Sequence, residues 1–142
     1  MFSKLLEGVI EREGYAVVDH EGLDAFASDH DHVALFFAGD ADRLMESNDV
    51  AVVLPELHKA FERVFTPAVV ARESERPLQR KYRFNAYPAI VFLKDGRYQG
   101  AIQKVQDWDD YLREVSAILT SEPTDPPAFQ LPEGCATAAT QH

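Results

Sequence analysis

Five consecutive apolar residues, Ala89-Ile90-Val91-Phe92-Leu93, follow Tyr87-Pro88 and run into Lys94-Asp95-Gly96. This segment constrains the fold more than any other, because Asp-Gly after an apolar run is a strong signal for a tight hairpin. Residues 97–105 are then the antiparallel partner of that strand. A second apolar run, residues 33–37, lies between His32 and Gly39. It does not alternate with polar residues, so it reads as a strand buried on both faces. Such a strand requires helices on both sides of its sheet.

The helical patterns needed for that cover are present. Phe2, Leu5, Leu6, Val9 and Ile10 recur at helical spacing and stop at Gly14, which predicts an opening amphipathic helix. Residues 15–19 are β-rich, and Leu23, Phe26 and Ala27 predict a short helix ending near Asp31. Leu54, Leu57, Phe61, Val64 and Phe65 keep helical spacing, with Pro55 placed near the helix start, where proline is tolerated. Residues 68–71 read as a third strand, and Pro77, Leu78 and Tyr82 mark another short helix. Trp108, Tyr111, Leu112, Val115, Ile118 and Leu119 form a long stripe that opens at Asp107, a good N-cap. The order α-β-α-β-α-β-α-β-β-α predicts an α/β sandwich around a mixed sheet.

Length and composition bound the rest. The chain has 142 residues, enough for one domain, and its last 22 residues hold four of its eight prolines. This predicts one domain over residues 1–120 and a flexible Pro-rich tail over residues 121–142. The single cysteine, Cys135, falls in that tail. An internal disulfide, a two-cysteine redox centre and a cysteine-built zinc site are therefore excluded, and a reducing compartment is expected. A formal net charge of −10 disfavours nucleic acid and anionic lipid as partners. No stretch approaches the ~18 apolar residues of a membrane span, and the first residues lack a secretory pattern. The expectation is a soluble cytoplasmic protein with no membrane insertion.

The acidity is local. Residues 1–66 carry 14 acidic and 5 basic residues, against 10 and 9 in residues 67–142. One dense part holds Asp19, Glu21, Asp24, Asp29 and Asp31; another holds Asp40, Asp42, Glu46 and Asp49 with only Arg43 among them. Such blocks are solvated faces or surfaces for a basic partner.

Local signatures carry a resemblance over about residues 15–120. The run Tyr82-Arg83-Phe84-Asn85-Ala86-Tyr87-Pro88-Ala89-Ile90-Val91-Phe92-Leu93-Lys94-Asp95-Gly96 is similar to the thioredoxin segment that bears a cis-proline before the fourth strand. The resemblance implies a cis Tyr87-Pro88 peptide facing the place where thioredoxins keep their redox centre. That centre is missing. Gly39-Asp40-Ala41-Asp42-Arg43-Leu44-Met45-Glu46 has no cysteine, and thiol exchange needs one thiolate to attack and a second sulfur to resolve. The buried carboxylate that assists thioredoxins falls two residues before Phe37, where this chain has Leu35. Oxidoreductase activity is therefore not expected, and no catalytic residue is assigned.

Leu35-Phe36-Phe37-Ala38-Gly39-Asp40, Asp49-Val50-Ala51-Val52-Val53-Leu54-Pro55-Glu56-Leu57 and Tyr87-Pro88-Ala89 together resemble the HyaE/HupG family of uptake nickel–iron hydrogenase accessory proteins. The resemblance implies a thioredoxin-like three-layer sandwich with a mixed central sheet and an extra N-terminal helix. It also implies a non-catalytic, cofactor-free chaperone in hydrogenase maturation. Its partner would be the hydrogenase small-subunit precursor, bound at the twin-arginine signal peptide before export, with other hydrogenase accessory proteins as further partners.

A twin-arginine signal is a cationic segment followed by an apolar stretch, so its receptor needs carboxylates beside an apolar or backbone-pairing groove. The candidate set is Asp40, Asp42, Glu46 and Asp49 around Tyr87 and Pro88, with Glu56 as an addition, and Leu44, Met45 and Tyr87 as apolar contacts. Two other readings compete. His20, Asp29, His30, Asp31 and His32 suit a nickel- or zinc-handling role by residue type. No second histidine pair stands at a ligand interval, however, and the cluster reads as polar surface around a helix end. The other is a redox-inactive interaction scaffold with no preference for paired arginines.

Overall fold

The structure, a computed structural model, describes residues 2–40 and 46–127. Its elements are α1 (Lys4–Glu13), β1 (Ala16–Val18), α2 (Leu23–Ser28), β2 (His32–Phe37), α3 (Glu46–Ala60), β3 (Thr66–Val70), a 3₁₀ turn (Arg72–Ser74), α4 (Glu75–Tyr82), β4 (Ala89–Lys94), β5 (Arg97–Gln103) and α5 (Trp108–Leu119). The strands form one sheet in the order β1-β3-β2-β4-β5. β3 runs parallel to β1 and β2, while β4 is antiparallel to both β2 and β5.

The central position of β2 explains its unbroken apolar run. Successive side chains point to opposite faces of a sheet. Ala34 and Phe36 accordingly join a core with Leu6, Val9, Leu54, Leu57 and Val115, from α1, α3 and α5. Val33, Leu35 and Phe37 join a second core with Leu23, Ala27, Leu78 and Tyr82, from α2 and α4. The added helix α1 lies on the α3 side. Ser3 caps it, its Oγ accepting the Leu6 N–H at 3.1 Å and donating to Asn48 Oδ1 at 2.7 Å. Gly14 closes it in the left-handed region, at φ 71°, which only glycine enters cheaply.

The Asp95-Gly96 turn forms as expected, with both residues at positive φ. Two expectations for α3 need correction. The helix begins at Glu46, so Pro55 sits in its interior rather than near its start. The run of β-branched residues before Leu54 hid the helical spacing of the buried Val50, Ala51, Leu54 and Leu57. The helix also stops at Ala60. Glu62 and Arg63 then turn at positive φ, leaving Val64 53% exposed while Phe65 enters the core.

α5 starts after Asp107 as expected, although the Asp107 side chain makes no capping bond. Beyond α5, residues 121–127 return along β5. The Thr124 N–H donates to the Tyr98 carbonyl at 2.9 Å, and Gln99 Nε2 donates to the Ser121 carbonyl at 3.0 Å. Cys135 lies outside the described residues. Among the described residues, no helix is long and apolar enough to cross a membrane.

Candidate functional site

The site is built where β2 ends. In the β2–β4 ladder Phe37 faces Ala89. Ala38 and Gly39 follow Phe37 on one strand and Tyr87-Pro88 precedes Ala89 on the other, so both segments leave the ladder at the same end. The Tyr87-Pro88 peptide is cis. Two ties from the β5 side fix this wall. Gln103 Oε1 accepts the Asn85 and Ala86 N–H groups at 2.7 and 2.9 Å, and the Pro88 carbonyl accepts the Lys104 N–H at 2.7 Å. Phe84 packs beneath, its ring 4.7 Å from Phe37 and 5.5 Å from Tyr87.

The end of β2 and the first turns of α3 and α4 shape the opposite wall. Gly39 has φ 73°, which turns the chain out of the sheet where a Cβ would strain it. Its N–H donates to Glu75 Oε2 at 3.0 Å, and Ser47 Oγ, from the first turn of α3, donates to the Ala38 carbonyl. Glu75 is only 3% exposed, and also accepts Arg72 Nη1 at 2.6 Å. Burial pushes its carboxyl above the ordinary value, against the pull of the Gly39 N–H and Arg72. The Tyr87 phenol is half-buried and donates to Gln79 Oε1 at 3.0 Å. Burial first, and the Glu75 carboxylate second, raise its pKa.

The expected site residues divide into three groups. Asp40 follows Gly39 directly and is partly buried, while Asp49 is exposed in the first turn of α3. Tyr87 and Pro88 immediately precede Ala89, the residue that pairs with Phe37. Asp42, Leu44 and Met45 lie outside the described residues, as does the side chain of Glu46, the residue that opens α3. Glu56 does not join the others. It stands ten residues along α3 from Glu46, roughly 15 Å of helix rise, and pairs with Lys59 at 3.8 Å.

Sequence reasoning missed Glu75, Gln79 and Gln103. The charged stretch around Arg72, Glu73, Glu75 and Arg76 looks like solvated helix surface. The only usable signal was the spacing of Glu75 and Leu78 on the inward face of a short helix.

The histidines are dispersed. His20 follows β1 and bonds Ser74 Oγ through its N–H and Nδ1, both at 3.0 Å. His30 Nδ1 is 2.9 Å from the Phe26 carbonyl, and His32 opens β2 at the other end of the parallel strands. Among the described residues no group of three His, Cys, Asp or Glu side chains converges on a metal site.

This strand order, with a cis Tyr87-Pro88 peptide leading into β4 and no cysteine in the sequence of residues 39–46, defines a thioredoxin-like domain without a thiol pair after β2. A mutant thioredoxin from Halobacterium salinarum superposes with a TM-score of 0.59 at 22% identity, over 77% of this chain and 93% of that one, which supports the fold. The family model for the hydrogenase-1 expression protein HyaE matches residues 5–111, and the chain belongs to that family of hydrogenase expression/formation proteins. It is 42% identical over 127 residues to the hydrogenase expression/formation protein HoxO of Azotobacter vinelandii, covering 89% of this chain and 85% of that protein. It also resembles the crystal structure of a hydrogenase expression/formation protein, HupG, from Rhodopseudomonas palustris, at 40% identity and TM-score 0.53, over 73% of this chain and 94% of that one.

Proposed function

We propose that this protein is a non-catalytic chaperone of hydrogenase maturation that binds the twin-arginine signal peptide of the hydrogenase small-subunit precursor in the cytoplasm, before export. The observation that carries the reading is an acidic, cysteine-free sequence over residues 39–46, directly after β2 and at the end of the ladder where Tyr87-Pro88 leads into β4, in a member of a hydrogenase expression family. Carboxylates accept the planar fork of arginine in a bidentate manner, and backbone pairing with an extended segment beside Tyr87 would complete the contact.

In this reading Asp40 and Asp49 meet the two arginines, with Asp42 and Glu46 beside them, and Tyr87 meets the segment that follows. Exposed pairs contribute only ~0.2–1 kcal/mol each, so the acidic turn selects and steers more than it anchors. Glu56 is left out of the proposed site because it is distant along α3 and pairs with Lys59.

The test is a titration with a synthetic twin-arginine hydrogenase signal peptide and with a version carrying two glutamines in place of the arginines, at low and moderate salt. Preference for the arginine peptide that weakens with salt is the expected result. Equal affinity for both would sink the proposal.

A further inference from the structure

Glu75 is a buried ionisable group that the reading above leaves without a role. Its side chain is 4% exposed, and burial works against its charge, so its placement is not explained by stability alone. Its two oxygens are committed to different neighbours: one accepts the Gly39 N–H at 3.0 Å and the other accepts Arg72 at 2.6 Å.

One helical turn later, Gln79 makes the matching ties to the opposite wall. Its Nε2 donates to the Phe84 carbonyl at 3.0 Å, and its Oε1 accepts the Tyr87 phenol at 3.0 Å. Residues four apart on a helix lie on one face, with Cβ atoms about 6 Å apart. A single face of α4 therefore holds both the Gly39 N–H that leads into Asp40 and the Tyr87 phenol. From the other side Ser47 grips the Ala38 carbonyl, so the Ala38-Gly39 peptide unit is held at both its oxygen and its following N–H.

We propose that Glu75 and Gln79 are positioning residues, with α4 acting as a bracket that sets the separation of the Gly39-Asp40 backbone from Tyr87. Glu75 governs the preference for a cationic over a neutral segment by fixing the turn that presents Asp40. Gln79 governs affinity for either segment by fixing Tyr87. The inference rests on the peptide-binding reading above, and the experiment separates the two.

Amide exchange at Gly39 is measured by NMR alongside titration with the arginine and glutamine peptides. Glu75→Ala removes the acceptor. Gly39 exchange should accelerate tenfold or more, and the arginine-over-glutamine affinity ratio should fall to half its wild-type value or lower, with affinity for the glutamine peptide kept within twofold. Glu75→Gln keeps a neutral acceptor, weaker than a charged one, and should fall between wild type and Glu75→Ala in both readouts. Gln79→Leu should weaken both peptides threefold or more and leave the ratio unchanged.

If Glu75→Ala does not fold, Glu75→Gln and Gln79→Leu carry the test. Wild-type exchange and ratio in the Glu75 variants would overturn the bracket, as would unchanged affinities in Gln79→Leu. A ratio of one in the wild-type protein would instead overturn the peptide reading, and with it the selectivity role of Glu75, while Gly39 exchange would still judge the bracket itself.

Discussion

Glu75 and Gly39, 36 residues apart in sequence, are joined by a 3.0 Å hydrogen bond from the Gly39 N–H to a buried carboxylate. The bond connects the first turn of α4 to the end of the central strand, where a thioredoxin would begin its redox motif.

Burial of this carboxylate gives Glu75 an unusual pH signature. Its folded pKa is raised above the ordinary carboxyl value of 4.5, chiefly by burial. The folded state therefore binds the proton more tightly than the unfolded state. Its contribution is fully present below about pH 4.5 and is lost as pH rises through the higher folded value. Glu75→Gln should remove that downward component, so the difference in unfolding free energy, variant minus wild type, should increase with pH across this window. Urea denaturation at a series of pH values checks it. A difference that decreases with pH would mean that Glu75 is held below its ordinary value.

His58 should show the opposite dependence on pH. It sits on α3, its ring 5.6 Å from Phe65, and lines a cavity of about 280 Å³ with Glu13, Tyr15 and His30 at the far end of the sheet. Burial, and then Arg63, lower its pKa from 6.5. The folded state thus binds its proton less readily than the unfolded state. Stability from this group is present above about pH 6.5 and declines as pH falls through the depressed folded value. Thermal unfolding of His58→Gln should show a smaller loss of midpoint between about pH 7.5 and pH 5.5 than wild type. An equal loss in both proteins would remove His58 as the cause.

Packing of α5 on the sheet depends on Gly100. A Cβ at this position would lie 2.8 Å from Ile118 Cγ1 and 3.1 Å from its Cδ1, closer than van der Waals contact allows. Gly100→Ala should cost about 1–3 kcal/mol, the range for overpacking. Because all three close contacts are to Ile118, the double variant Gly100→Ala/Ile118→Ala should lose less than the sum of its single changes. Strict additivity in urea unfolding would show that the strain lies elsewhere.

Much of this architecture was legible because burial leaves a periodic trace. β2 announced itself through residues 33–37, and the β4–β5 hairpin through Asp95-Gly96, since local turn chemistry and two-sided burial are both properties of short stretches. The true start of α3 was not legible, because Val50, Val52 and Val53 are β-branched and Pro55 suggests a boundary. Tertiary packing of Val50, Ala51 and Leu54 outweighed those local preferences. At the site, the absence of cysteine from residues 39–46 is a property of the sequence itself. The Glu75 and Gln79 ties could not be read there, because they join residues far apart in sequence and a glutamate on a short charged helix looks solvated until the fold buries it.

The central claim is that the acidic turn recognises paired arginines, and the affinity ratio between the arginine and glutamine forms of the signal peptide measures it most directly. At ~0.2–1 kcal/mol for each of two exposed pairs, the wild-type ratio should be about 2- to 30-fold at low salt. The Asp40→Asn/Asp49→Asn variant should bring it close to one, whereas Glu56→Gln, remote along α3 and paired with Lys59, should leave it unchanged. A wild-type ratio of one, or a ratio that survives the loss of both Asp40 and Asp49, would contradict the account.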